Sequence, residues 1–326
     1  MPIFRHWIAA LAAGACLVAA GAWAEPAILY DVGGKFDKSF NEAAFYGMEK
    51  WKKESGKKYL ELEVHKESQR EQAVRSLAEK GASPIIVVGF EQAAAVDKVS
   101  KEFPKLHFAI VDMVVEGPNV QSVVFKEHEG SFLVGALAAM ASKTGKVGFI
   151  GGMDIPLIHR FGCGYEQGVR FVRPDAEVFS NMTGSTGAAW HDPARGAELA
   201  LKQFARGADV VFAAAGGTGV GVYQAAKEHG KLAIGVDINQ NYLQPGAMLT
   251  SMLKRVDVAV YNVTKDFTPG MLVLGLREGG VDYAVDENNA RLLTPEMRKR
   301  VEGIKADIIR GKISVADYMA DNACRY

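Results

Sequence analysis

From residue 27 onward, short apolar runs alternate with longer stretches whose apolar residues recur at helical spacing. Ala27–Tyr30, Leu60–Val64, Pro84–Gly89, His107–Asp112 and Val120–Phe125 are rich in β-branched and aromatic residues, and most are bounded by glycine, proline or charged residues. Such runs read as strands. Between them, 40–54, 70–80 and 92–102 read as helices, the first opening after Ser39, a suitable N-cap. Several of these strands are apolar along their whole length, which places them in a parallel sheet covered on both faces.

The pattern then starts again. A helix is expected over 130–143, followed by a strand at Lys146–Ile150 that ends in Gly151-Gly152. Further strands are expected at 177–180, 209–213, 232–236 and 249–253, with helices over 159–172, 193–206 and 219–229 and another from Val256. There is no low-complexity linker and no short-period repeat. The expected fold class is therefore α/β in two lobes, each a parallel sheet flanked by helices, joined by strands that cross between them.

Composition adds bounds to this picture. The 326 residues are 48% hydrophobic and 23% charged, and Lys+Arg and Asp+Glu both number 38. No basic excess draws the chain to nucleic acid, so no nucleic-acid partner is expected. The N-terminus carries Arg5, an apolar stretch over 7–20 and then Ala22-Trp23-Ala24, the order of a secretory signal. Cleavage is expected after Ala24, giving an exported periplasmic chain. Cys16 lacks the upstream leucine of a lipid-attachment site. Cys163 and Cys324 then remain in an oxidising compartment, and spacing alone leaves open whether they pair or stay as free thiols.

Ligands of open α/β sheets bind beyond the carboxyl ends of the strands. Asp31, Asp112 and Asp237 stand at such ends, as does the run Gly216-Gly217-Thr218-Gly219. The segment 31–41 adds Phe36, Phe40 and Asn41 on a loop, suited either to stacking on a planar ligand or to capping a helix through Asp37 or Ser39. The glycine run lacks the P-loop lysine and the dinucleotide spacing. Asp237 and Lys254 form a candidate pair for holding vicinal hydroxyls, since one accepts and the other donates. His191 is expected as a helix-start residue, and Trp190 beside it either lines the cleft or packs under the helix, packing being the expectation. No HExxH or G-x-S-x-G pattern occurs, so neither an enzyme nor a cofactor or metal site is expected.

Six blocks together resemble the basic membrane protein family of solute-binding proteins. They are DKSFN (37–41), EGSFLVGALAA (129–139), KTGKVGFIGG (143–152), GADVVFAAAGGTG (207–219), GVD (235–237) and LTSMLKRVD (249–257). The resemblance implies a type I periplasmic binding fold with three crossover strands, and a nucleoside ligand (purine above all) passed to the permease and ATPase of an ABC importer. It implies that Phe40 and Phe212 sandwich the base, that Asp31, Asn41 and Asp112 lie near its polar edge, and that Gly217, Asp237 and Lys254 hold the ribose. The expected organisation is a signal at 1–24, lobe one at 25–126 and 250–281, and lobe two at 127–249 and 282–326, in a monomer. The same fold binding a sugar or flavin, or serving as a sensor for a membrane receptor, is the alternative.

Overall fold

A computed structural model describes residues 24–325; residues 1–23 of the expected signal segment, Cys16 among them, lie outside the described residues. Lobe one opens with β1 (Ala27–Tyr30), α1 (Phe40–Ser55), β2 (Leu60–Glu63), α2 (Arg70–Glu79), β3 (Ile85–Val88), α3 (Ala93–Glu102), β4 (Phe108–Val111) and β5 (Val120–Phe125). Lobe two follows with α4 (Glu127–Ala141), β6 (Lys146–Met153), α5 (Pro156–Val172), β7 (Glu177–Gly184), α6 (Pro193–Ala205), β8 (Val210–Ala214), α7 (Gly219–Glu228), β9 (Leu232–Asp237) and β10 (Met248–Lys254). The chain returns to lobe one for α8 (Val256–Lys265) and β11 (Gly270–Leu274), then ends in lobe two with β12 (Val281–Tyr283) and α9 (Pro295–Ile309).

The first sheet has the order β11-β5-β4-β3-β1-β2 and is parallel throughout. The second has the order β12-β10-β9-β8-β6-β7, with only β12 antiparallel. Strands β1, β3 and β4 are buried at every position, as a sheet covered on both faces requires. The chain crosses between lobes after β5, after β10 and after β11. One boundary differs from expectation. Residues 250–254 belong to the second sheet, because β10 pairs with β9 and β12, and the return to lobe one falls at Arg255.

Helices α4 and α5 pack very closely, and glycine permits it. A Cβ at Gly135 would strike the Tyr165 carbonyl, and one at Gly168 the Phe132 carbonyl. The aliphatic face of α4 is buried almost completely, through Phe132, Leu133, Val134 and Leu137. Cys163 on α5 forms a disulfide with Cys324, the Cα atoms 5.3 Å apart, inside the usual range. The bond ties the C-terminal tail to lobe two.

Gly168→Ala should destabilise the fold by about 1–3 kcal/mol, the usual cost of overpacking a close contact. A urea denaturation curve checks this through its midpoint. An unchanged midpoint would mean that the two helices separate without cost.

Candidate functional site

The carboxyl ends of β1, β3 and β4 face those of β8, β9 and β10 across a cleft, whose space including the mouth is about 670 Å³. The lobes touch around it. Ser39 Oγ donates to Asp237 Oδ2, Gln240 Nε2 donates to the Lys38 carbonyl at 2.7 Å, and the His191 ring lies against Gly33. The cleft is closed on these contacts.

On the lobe-one side, Asp37 is the capping residue of α1. Its carboxylate accepts from the backbone N–H groups of Ser39 (2.8 Å), Asn41 (3.0 Å) and Glu42 (3.1 Å). Ser39, the expected cap, makes no side-chain cap bond because its hydroxyl turns to Asp237 instead. Burial nevertheless pushes the Asp37 carboxyl up to about 7, against those three donors. Asn41 closes the loop: its Oδ1 accepts from Asp31 N, and its Nδ2 donates to the carbonyls of Asp31 and Gly34, all at 3.2 Å. Asp31 is raised by burial, offset in part by the Val32 N–H and by Arg70 at 3.4 Å. Arg70 is shared with Glu91 at 2.6 Å.

Lys254, at the end of β10, is only 2% exposed along its side chain. Its Nζ lies 2.6 Å from Asp112 Oδ2 and 3.0 Å from Glu127 Oε1. The rings of Phe40 and Phe125 lie 5.1 Å from the ammonium and that of Phe161 5.6 Å, within cation–π range. Burial opposes its charge, but Asp112, Glu127 and Asp237 outweigh that and hold it protonated above the usual lysine range. Burial raises Asp112 to about 6, with Lys254 pulling the other way. Asp237 is raised chiefly by burial as well. Asp112 Oδ1 and Glu127 Oε1 are both buried with no hydrogen-bond partner among the described residues, and Asp112 lines the cleft.

Asp31, Phe40, Asn41, Asp112, Asp237 and Lys254 all line the cleft. Lys254 pairs with Asp112 rather than with Asp237. Phe212 does not reach the cleft. It is fully buried in β8, its ring 5.6 Å from Phe149 and 5.5 Å from Tyr165, and Ala214 two residues further on is what lines the cavity. Gly217 stands beside the cleft against the carbonyls of Trp190 and Asp37, while Gly216 lines it. Phe36 is exposed, edge-on to Phe45. The lobe-two aromatics in the cleft are Trp190 and Phe161, and His191 stands beside them. Gly152 and Gly216 leave room for the indole. A tryptophan just before a helix N-cap, opposite two glycine-ended strands, was the available signal. Among the described residues no cluster of His, Cys, Asp or Glu is arranged to hold a metal ion.

Residues 24–318 match the Bmp family, described as ABC transporter substrate-binding protein PnrA-like. The chain belongs to the Bmp family. It is 36% identical over 317 residues to the ABC transporter nucleoside-binding protein BmpA of Lactococcus lactis, covering 89% of this chain and 88% of that one. It is 33% identical over 308 residues to basic membrane protein A of Borreliella afzelii, covering 89% and 91%. Among solved structures, an ABC transporter solute-binding protein of Aeropyrum pernix superposes with a TM-score of 0.81 at 29% identity, over 89% of this chain and 92% of that one. The Bmp family is one of substrate-binding proteins, and the type I binding fold is shared. No described helix of this Bmp-family chain is long and apolar enough to cross a membrane.

Asp37 holds its proton up to about pH 7 when folded, whereas an unfolded aspartate releases it near pH 4. This contribution to stability is therefore complete below about pH 4 and lost as pH rises to about 7. Thermal midpoints of the ligand-free chain should fall across that window, and Asp37→Asn should flatten the fall; equal slopes would refute it. Phe212→Ala should cost about 3–5 kcal/mol of folding stability, as core aromatic truncations do. Chemical denaturation reads this directly.

Proposed function

We propose that the protein is an exported solute-binding protein that captures a nucleoside, a purine nucleoside above all, in the interlobe cleft. It then delivers that solute to the permease and ATPase of an ABC importer. The observation that carries the reading is the composition of the cleft. Aromatic rings from both lobes, Phe40 on one side and Trp190 on the other, share a cavity with buried carboxylates and a fixed ammonium. A nucleoside has a flat apolar face for the first and polar edges and hydroxyls for the second.

In this reading the base lies between Phe40 and Trp190, the position expected of Phe212 passing to Trp190. Asp31 accepts from the base edge, and Asn41 holds the loop that presents it. Asp237, Asp112 and Lys254 take the ribose hydroxyls, with Gly216 and Gly217 allowing the backbone to approach. The nucleoside-binding name of the Lactococcus lactis relative supports the same ligand class. Closure encloses the ligand between lobes, as in other hinged binding proteins, and the closed form is what the permease would recognise. Catalysis is not part of the proposal.

A thermal-shift panel of the chain from residue 25 tests it, using purine and pyrimidine nucleosides, free bases, ribose, hexoses, riboflavin and inosine monophosphate. A ligand at about a hundred times its dissociation constant adds about 2.7 kcal/mol. Nucleosides should stabilise the protein, with no shift from free bases or ribose. Phe40→Ala and Trp190→Ala should each lose about 1–3 kcal/mol of binding, by analogy with base–aromatic stacking. Stabilisation by hexoses or riboflavin alone would replace the nucleoside with that solute.

A further inference from the structure

Helix α5 has two working faces. Leu157, Ile158 and Phe161 line the cleft. On the other side the same helix is bound to the C-terminal tail. Gln167 exchanges two hydrogen bonds with the backbone of Ala316, at 2.8 and 2.9 Å. His159 stacks on Tyr318 with ring centres 5.1 Å apart, and Cys163 carries the disulfide to Cys324.

Between those faces stands Arg160, 14% exposed along its side chain. Its Nε and Nη2 donate to the two carboxylate oxygens of Asp317 at 2.7 and 2.6 Å, a bidentate fork. Its Nη1 donates to Glu127 Oε2 at 2.9 Å and to the Phe125 carbonyl at 2.7 Å. Its other oxygen, Glu127 Oε1, lies 3.0 Å from the Lys254 ammonium, an ion pair by distance in which the hydrogen bond of the ammonium goes to Asp112 instead. Charges therefore alternate without a break from the tail to the cleft: Asp317, Arg160, Glu127, Lys254, Asp112. Two of the three crossings run through this chain of ions, Phe125–Glu127 and Lys254–Arg255.

We propose that Arg160 and Asp317 are positioning residues for Lys254, so that the stapled C-terminal tail sets the ligand affinity of a cleft it does not touch. The geometry makes each step directional. Glu127 is 1% exposed along its side chain, and its charge faces Arg160 and Lys254. With Arg160 fixed by the tail, one Glu127 oxygen is committed to the guanidinium and the other is left to Lys254. Without Asp317, Arg160 loses its fork and keeps only the Nη1 bonds to Glu127 and the Phe125 carbonyl, so the guanidinium pivots about them, Glu127 moves with it, and the ammonium shifts toward Asp112. Networks of this kind carry coupling where a packed element has alternative arrangements. The inference rests on Lys254 serving the cleft and not on which solute is bound.

The test uses the chain from residue 25 with its disulfide intact. The first readout is the 1H–15N signal of the buried Lys254 ammonium in ligand-free protein. Asp317→Asn should shift or broaden it, whereas Asp321→Asn, in the same tail but outside the relay, should leave it in place. Arg160→Lys keeps the charge and loses the fork, and serves as the second variant should Asp317→Asn fail to fold. Calorimetric titration with inosine is the second readout, in which Asp317→Asn should bind about fivefold more weakly and Asp321→Asn as wild type. An ammonium signal that coincides in wild type and Asp317→Asn overturns the proposal, as does an equal loss of affinity in Asp321→Asn. If wild-type protein binds no inosine, the nucleoside reading falls and the ammonium signal alone decides the relay.

Discussion

The rest of the site depends on one buried ammonium. Lys254 sits in the closed cleft with two carboxylates within 3.0 Å and three aromatic rings around it. A buried charge is tolerable only when paired and hydrogen-bonded, and stripping one partner from such a group costs about 3–5 kcal/mol. The two partners come from different places. Glu127 opens α4 in the lobe that carries Lys254, while Asp112 arrives from lobe one at the end of β4. Separating the lobes would take Asp112 away, so the interaction that makes Lys254 tolerable also favours closure. The same dehydrated pair gives Asp112 one oxygen with no partner, which a ligand hydroxyl can satisfy.

Backbone conformation aims these acids. Asp112 and Asp237 have φ of 73° and 66°, in the left-handed region that residues other than glycine seldom occupy. Both stand immediately after, or as the last residue of, a central strand. At Asp237 the Ile238 N–H returns to the Val236 carbonyl at 2.9 Å, reversing the chain within three residues. Strain of this sort persists where the surroundings over-determine it, and it clusters at binding sites. The turn at Asp237 lets its carboxylate project beyond the sheet, and both acids line the cleft.

The sequence exposed the sheets clearly because parallel strands buried on both faces carry almost no polar residues. Short or exposed strands were much less legible. β11 begins at exposed residues and β12 is only 3 residues long, so neither stands out. Most cleft residues were readable for a physical reason: an acid or a lysine at the end of an apolar strand has no packing role there. The place of Phe212 against the base is implied by the resemblance alone, and its depth in the strand rules it out. At about 3.3 Å per residue, a side chain two positions before the strand end lies some 6–7 Å below the rim, among Phe149 and Tyr165. Trp190 went the other way, since a tryptophan near a helix start looks like packing until the glycines on neighbouring strands are seen to make room for it.

Charge balance narrows what such a cleft can hold. Arg70 is shared by Asp31 and Glu91, and Lys254 by Asp112 and Glu127. Asp37 and Asp237 receive their hydrogen bonds from backbone N–H groups and a serine hydroxyl. Carboxylates therefore outnumber the cations they face, and the raised positions of Asp31, Asp37, Asp112 and Asp237 reflect the cost of holding that many acids out of water. A phosphate ester entering this space would add negative charge beside acids whose cations, Arg70 and Lys254, are already engaged. A neutral ligand rich in N–H and O–H donors relieves the same strain by hydrogen bonding. The electrostatics thus favour an uncharged donor-rich solute, and the aromatic walls require part of it to be flat.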